Sequence, residues 1–426
     1  MATLNDQRRF TAEGHMFAAG RAASWIEIAM VAVLLLAILL QSLLGPLTPL
    51  LAIGITASFV ALRWERVFPT LVTCWPLLLM PILAVVSTIW SDHPDITLRY
   101  GILYLLTVLV ATLLGGGLER NNLLKGLFIG FAVYIVLSIL LGGYVLHQGR
   151  IAWAGLMGSK NASGDVGALT VLVSSAMILW AYTKRSYLWL IAALAVIPMG
   201  LWTLDKSEAT GALIAAMVSL PCLLLWYFSR ALRLEVRTTI FILTIVFVLT
   251  VVATVELWLE PLFEFLLEQT GKDPGLTGRD VLWRKADELI VERPVLGGGF
   301  RAFWVHNNLD AEYLWRYMGI ESRAGFSFHN TFREILVDLG ITGLAVFVIT
   351  IFYATLKLFM RAMLAPTMMG MLACALIVFE SPRIFFEVIA FKDLHTATVI
   401  VILALSHGLR PAQLASFNRQ PLRSSR

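Results

Sequence analysis

The run WIEIAMVAVLLLAILLQSLL, from Trp25 to Leu44, decides what kind of protein this is. An α-helix needs about 20 mainly apolar residues to cross the hydrocarbon of a bilayer, and this run supplies them with Glu27 as its one ionisable group. A cleaved signal peptide has an apolar core of about 7–15 residues followed by a small-x-small pattern. This run ends instead at Gly45-Pro46, so it is expected to persist as a membrane helix. Working outward, comparable runs recur at 46–62, 67–90, 96–115, 123–144, 165–183, 187–204, 208–229, 238–258, 334–356, 363–380 and 388–409. The expectation is an all-α polytopic membrane protein of about twelve spans.

Composition agrees. Of the 426 residues 58% are hydrophobic and 14% charged, against about 25% charged in soluble domains. The net charge of +5 is dispersed between apolar runs and forms no basic domain, so nucleic acid is not an expected partner. Cys74, Cys222 and Cys374 lie inside apolar runs without pair or zinc-type spacing, which predicts neither a disulfide framework nor a metal site.

Lys and Arg set the orientation, because loops on the cytoplasmic side carry the excess. With the N-terminus inside, the inner segments hold 18 basic residues and the short outer loops hold 6. The division that follows is an N-terminal cytoplasmic segment 1–24, nine spans over 25–258, one large outer loop 259–333, three spans over 334–409 and a cytoplasmic tail 410–426. Both termini are cytoplasmic on this reading.

The outer loop, 259–333, is too long for a simple connection and too rich in Trp, Phe and Leu for a disordered linker. Its nine basic residues are unexplained by topology, and an anionic ligand is one reason for them. Thr277 followed by Asp280 reads as a capping box, and Leu282, Ala286, Leu289 and Ile290 recur at helical spacing until Arg293-Pro294. One helix and two irregular pieces are therefore expected. Arg279, in its first turn, suits a phosphate through its guanidinium fork and the free N–H groups beside it; a structural ion pair with Asp280 or Asp273 is the alternative. Gly297-Gly298-Gly299 reads as a turn that returns Phe300, Phe303 and Trp304 to the membrane interface. Trp304, Tyr313, Trp315 and Tyr317 read as interfacial anchors, with sugar stacking the alternative.

His329, just before the tenth span, is placed to take a proton from a hydroxyl, or is an interfacial histidine held by backbone groups. Asp338 falls inside that span and reads as a helix–helix contact or a support for the site. A second outer loop, 145–164, carries His147, Arg150, Lys160 and Asn161, whose cations either meet the first group across the bundle or reach for lipid headgroups.

Thr277-Gly278-Arg279 with Leu282-Trp283, the segment from Arg293-Pro294 to Phe300 with Phe303-Trp304, and His329-Asn330 with Glu334, Asp338, Gly340 and Gly343 together resemble the bacterial O-antigen ligase and Wzy-type polysaccharide polymerase superfamily, closest to its exopolysaccharide polymerase branch. The resemblance implies a GT-C-like membrane glycosyltransferase of the bacterial inner membrane that acts at the periplasmic face. It further implies a substrate saccharide carried on polyprenyl diphosphate, no cofactor and no metal. Membrane lipids and other polysaccharide assembly and export proteins are the implied partners. Arg279 would hold the diphosphate and His329 would activate the acceptor hydroxyl, with Asn330 and Asp338 in support. Gly158-Ser159-Lys160-Asn161 is similar to a family segment, but where the family has an Arg before the Gly-hydrophobic pair this chain has Ala154. Arg150, Lys160 and Asn161 are then the remaining candidates for the second half of the diphosphate site. The resemblance leaves open a polymerase that joins lipid-linked repeats and an O-antigen ligase that transfers glycan to lipid A-core. A polysaccharide transporter or flippase and a non-catalytic assembly protein are rivals of other classes.

Overall fold

A computed structural model describes residues 4–147, 150–254, 257, 261, 279–323 and 326–411, with side chains of 4–21, 147, 150, 248, 251 and 252 left aside. The capping pair member Thr277, together with Gly278, Asp273 and the tail from 412, lies outside the described residues.

The apolar runs are helical, and nine helices among the described residues are long and apolar enough to cross a membrane. In chain order the first group is α1 (Leu4–Leu39), α2 (Gln41–Leu44), α3 (Leu47–Leu62), α4 (Trp64–Cys74), α5 (Leu79–Val86), α6 (Pro94–Gly117) and α7 (Arg120–Leu141). A two-stranded antiparallel hairpin follows, β1 (Gly143–His147) and β2 (Arg150–Gly155), where the sequence suggested only a loop. Then come α8 (Lys160–Lys184), α9 (Tyr187–Lys206), α10 (Thr210–Ser229) and α11 (Leu234–Ala253).

Among the described residues the long loop 259–333 contributes two helices, where one was expected: α12 (Arg279–Glu292) and α13 (Leu309–Tyr317). The second was missed because it is short, and because its cap, Asn308 accepting from the Asp310 N–H at 3.1 Å, looks like ordinary loop chemistry in sequence. The last group is α14 (Thr331–Leu364), α15 (Met368–Glu380), a 3-10 turn Pro382–Phe385 and α16 (Thr396–Leu409).

One large core runs through the bundle, where α8 packs on α9, α1 on α7 and α6 on α16. The loop has its own core: Leu282 and Ala286 of α12, Leu314 and Trp315 of α13, Phe303, Phe326, Phe328 and Val337. Trp315 is 1% exposed inside it, so it anchors nothing at an interface, whereas Tyr313 and Tyr317 are exposed and stack on each other. Phe300 likewise is buried in the bundle against Tyr104 and Phe391.

Two departures from regular helix position the site. The run 388–409 is helical only from Thr396, and the 14 residues of α16 rise about 21 Å, short of a hydrocarbon core of about 30 Å. The irregular stretch 388–395 fills the remainder, which a bilayer tolerates because this backbone is packed inside protein. Second, α14 is broken at Gly340, whose φ of 61° and ψ of −162° are not helical. A break frees backbone groups that must find partners. The Gly-rich loop provides them: Gly298 and Gly299 N–H donate to Val337 and Asp338 carbonyls at 2.9 and 2.8 Å, while Ile341 and Thr342 N–H donate to Pro294 and Val295 carbonyls at 2.8 and 3.2 Å. Contact this close leaves no room for a side chain at Gly340, where a Cβ would lie 2.4 Å from the Val295 carbonyl.

Candidate active site

Arg279 opens α12, and its side chain is 13% exposed. Burial lowers the guanidinium pKa, partly offset by the Glu387 carboxylate, whose Oε1 lies 3.7 Å from Nη2. Asp280, the partner weighed from sequence, is taken by Arg284 at 3.3 Å.

The turn carrying His329 is fixed from three sides. Phe328 N–H donates to Glu334 Oε2 at 2.7 Å, Trp283 Nε1 donates to the Phe328 carbonyl at 3.0 Å, and Asn330 caps α14 by accepting from Arg333 N–H at 3.0 Å. His329 itself takes a left-handed φ of 50°. The result points its Nδ1 toward Glu387 Oε2, 3.4 Å away.

The same turn grips the segment that carries Glu387. Asn330 Nδ2 donates to the Phe385 carbonyl at 3.2 Å, and Thr331 Oγ1 donates to the Glu387 carbonyl at 2.7 Å while accepting from Ile389 N–H at 2.9 Å. Arg279 and His329, separate in sequence, therefore converge on one carboxylate. Burial alone would raise that carboxyl, but His329, Arg279 and Arg383 outweigh it and hold Glu387 down at about 2.

One helical turn before Glu387, the buried Arg383 is clamped between Glu380 and Asp165. Asp165 belongs to α8, so this clamp ties the first turns of α8 to the site. Lys160 and Asn161 stand in that first turn, behind the Ser159 cap, and Asn161 shares a helix face with Asp165. Arg150 starts β2, paired with His147; it precedes buried Ala154 along a strand, not by a helical turn, and its side chain lies outside the described residues.

Asp338 stands apart from this cluster. Its Oδ2 accepts the Arg301 N–H at 2.9 Å and so pins the Gly-rich loop to the break in α14. Arg301 in turn reaches Asp393 at 3.6 Å and lies over the Tyr100 ring.

Glu387, Arg383 and Asp165 escaped the sequence reading. The available signal was ionisable groups at the margins of apolar runs, Arg383 and Glu387 four apart and Asp165 at the start of the sixth run. Among the described residues no three His, Cys, Asp or Glu side chains are grouped to hold a metal ion.

A multi-pass helical bundle with a partly buried cluster of arginine, histidine and carboxylate at one end describes a membrane protein with a candidate site for an anion. Comparison with known proteins gives the class. Residues 200–348 match the O-antigen ligase family. The chain is also 30% identical over 363 residues to the exopolysaccharide production protein ExoQ of Rhizobium meliloti, an alignment covering 84% of this chain and 82% of that protein. The chain belongs to the O-antigen ligase and polysaccharide polymerase family.

Proposed function

We propose that this protein is a polymerase that joins oligosaccharide repeats carried on polyprenyl diphosphate at the periplasmic face of the inner membrane. The observation that carries the reading is the convergence of Arg279 and His329 on Glu387, which puts a phosphate-binding cation and a proton acceptor in one site. The acceptor hydroxyl attacks the anomeric carbon of the donor and gives its proton to His329. As the new glycosidic bond forms, the bond from the anomeric carbon to the diphosphate breaks, and the electron pair leaves with the polyprenyl diphosphate.

Such a leaving group is already good, so the protein's main task is to neutralise its developing charge with fixed cations and to orient the hydroxyl. Arg279 does the first, with Lys160 and Asn161 on the neighbouring helix end and Arg150 on the hairpin as further donor-binding groups. A positioned base contributes about 10²–10⁴-fold. Attack opposite the diphosphate inverts the anomeric centre, and no metal enters the scheme.

The matched family's description favours a second reading, transfer of finished glycan to lipid A-core, which uses the same donor chemistry. The relative's role in exopolysaccharide production favours polymerisation. The test is to incubate purified protein with lipid-linked repeats, no second acceptor and no added metal. A ladder of products from wild type, lost in Arg279→Ala and His329→Ala of unchanged fold, is expected. Product only when lipid A-core is added makes the protein a ligase, and undiminished ladders in both variants overturn the site.

A further inference from the structure

Glu387 lies between its two partners and completes a bond with neither. Charge-assisted N–H···O bonds close to about 2.7–2.9 Å, whereas its oxygens are 3.7 Å from Arg279 Nη2 and 3.4 Å from His329 Nδ1. The histidine shows the cost, because its Nδ1 is shielded from solvent and has no hydrogen-bond partner among the described residues. Arg279 also needs an anion, and among the described residues Glu387 is its only carboxylate within 4.0 Å.

We propose that Glu387 is a positioning residue that the donor diphosphate displaces from Arg279, and that its release lets the carboxylate close on His329 Nδ1–H and so switches on the base. This rests on the donor chemistry proposed above. A diphosphate outbids one carboxylate for a guanidinium because it brings more charge and more acceptor oxygens. Freed from Arg279, Glu387 need move under an ångström to reach bonding distance of Nδ1.

That bond sets the tautomer, leaving the Nε2 lone pair for the acceptor hydroxyl, and it stabilises the imidazolium once the proton arrives. The backbone does not have to move, since the Glu387 carbonyl is held by Thr331 and its segment by Asn330. Arg383, clamped by Asp165 and Glu380, keeps the freed carboxylate ionised beside the histidine. Departure of the polyprenyl diphosphate returns Glu387 to Arg279, and the imidazolium gives up its proton to the medium. The base is thus assembled only while a donor is bound.

The signature is a pair of opposite effects from one substitution. Glu387→Gln removes the competitor for Arg279 and the acceptor of the Nδ1 proton, so it should bind farnesyl diphosphate at least about threefold tighter than wild type while kcat on lipid-linked repeats falls at least about 10²-fold. Glu387→Asp draws the carboxylate back from Arg279 but can still accept from Nδ1; it should bind tighter too and keep part of kcat. It also carries the comparison should the Gln variant not fold. His329→Ala should lose turnover with farnesyl diphosphate affinity unchanged.

A structural role for Glu387 predicts weakened binding and lost turnover together, and that result overturns the proposal, as does an undiminished kcat in Glu387→Gln. Wild type that neither binds farnesyl diphosphate nor forms ladders defeats the donor reading and this inference with it. Wild type that does both, beside a Gln variant of unchanged affinity, defeats the displacement alone.

Discussion

His329 is held in a left-handed conformation that costs a non-glycine residue on the order of 1 kcal/mol, and three hydrogen bonds around its turn maintain it. Backbone strain of this kind is sustained where a side chain must point in one direction, here at Glu387. The Glu387 carboxyl is held at about 2 against an ordinary 4.5, so it stabilises the folded protein above about pH 4.5 and loses that contribution as the pH falls toward 2. The difference in thermal stability between wild type and Glu387→Gln is therefore expected to be on the order of 2 kcal/mol just above pH 4.5 and to shrink as the pH falls toward 2. Melting curves in detergent at stepped pH check it; a difference constant from pH 6 to pH 3 contradicts it. Arg279 and His329 stood out in the sequence as candidates because each sits in a recognisable short motif. Glu387 did not, since a carboxylate in a short connection has no motif, and only folding shows that both motifs face it.

At the scale of elements, the interlock of the Gly-rich loop with the break in α14 carries a prediction of its own. Gly340→Ala meets both a positive φ and the Val295 carbonyl, and is expected to cost at least about 2 kcal/mol of stability, read as a lowered melting temperature. Gly54→Ala is the contrast, in open space on α3, and should be neutral or slightly stabilising. Equal melting temperatures for the two variants would refute the interlock. Apolar length made the helices readable, because every span must hide its backbone groups from lipid. The same logic misread 388–409: Ile389, Phe391 and Leu394 look like one continuous span, while Lys392, Asp393 and His395 within it are accommodated in an irregular, buried stretch that hydropathy does not distinguish from helix. The Gly-rich segment looked like a turn for a related reason, since glycines that allow a turn also allow two backbones to touch.

Over the whole molecule, the candidate site and the loop core lie at one end of α14, and Lys357 and Arg361 lie near the other. If the basic-residue asymmetry sets orientation, a single cysteine placed at exposed Tyr313 in a cysteine-free background is expected to react with an impermeant maleimide in intact cells, and one placed at exposed Lys357 only after lysis. The reverse pattern would turn the protein over and remove the periplasmic site. The site draws on α8, α12, the start of α14 and the segment after α15, so it spans the chain from Asp165 to Glu387. That dispersion has a consequence for biosynthesis. A nascent chain inserted as far as α14 already displays Arg279 and His329, yet lacks the carboxylate on which they converge. Translation must pass residue 387 before the candidate centre is complete, so on the proposed reading an interrupted chain threaded into the membrane would make no stray glycan.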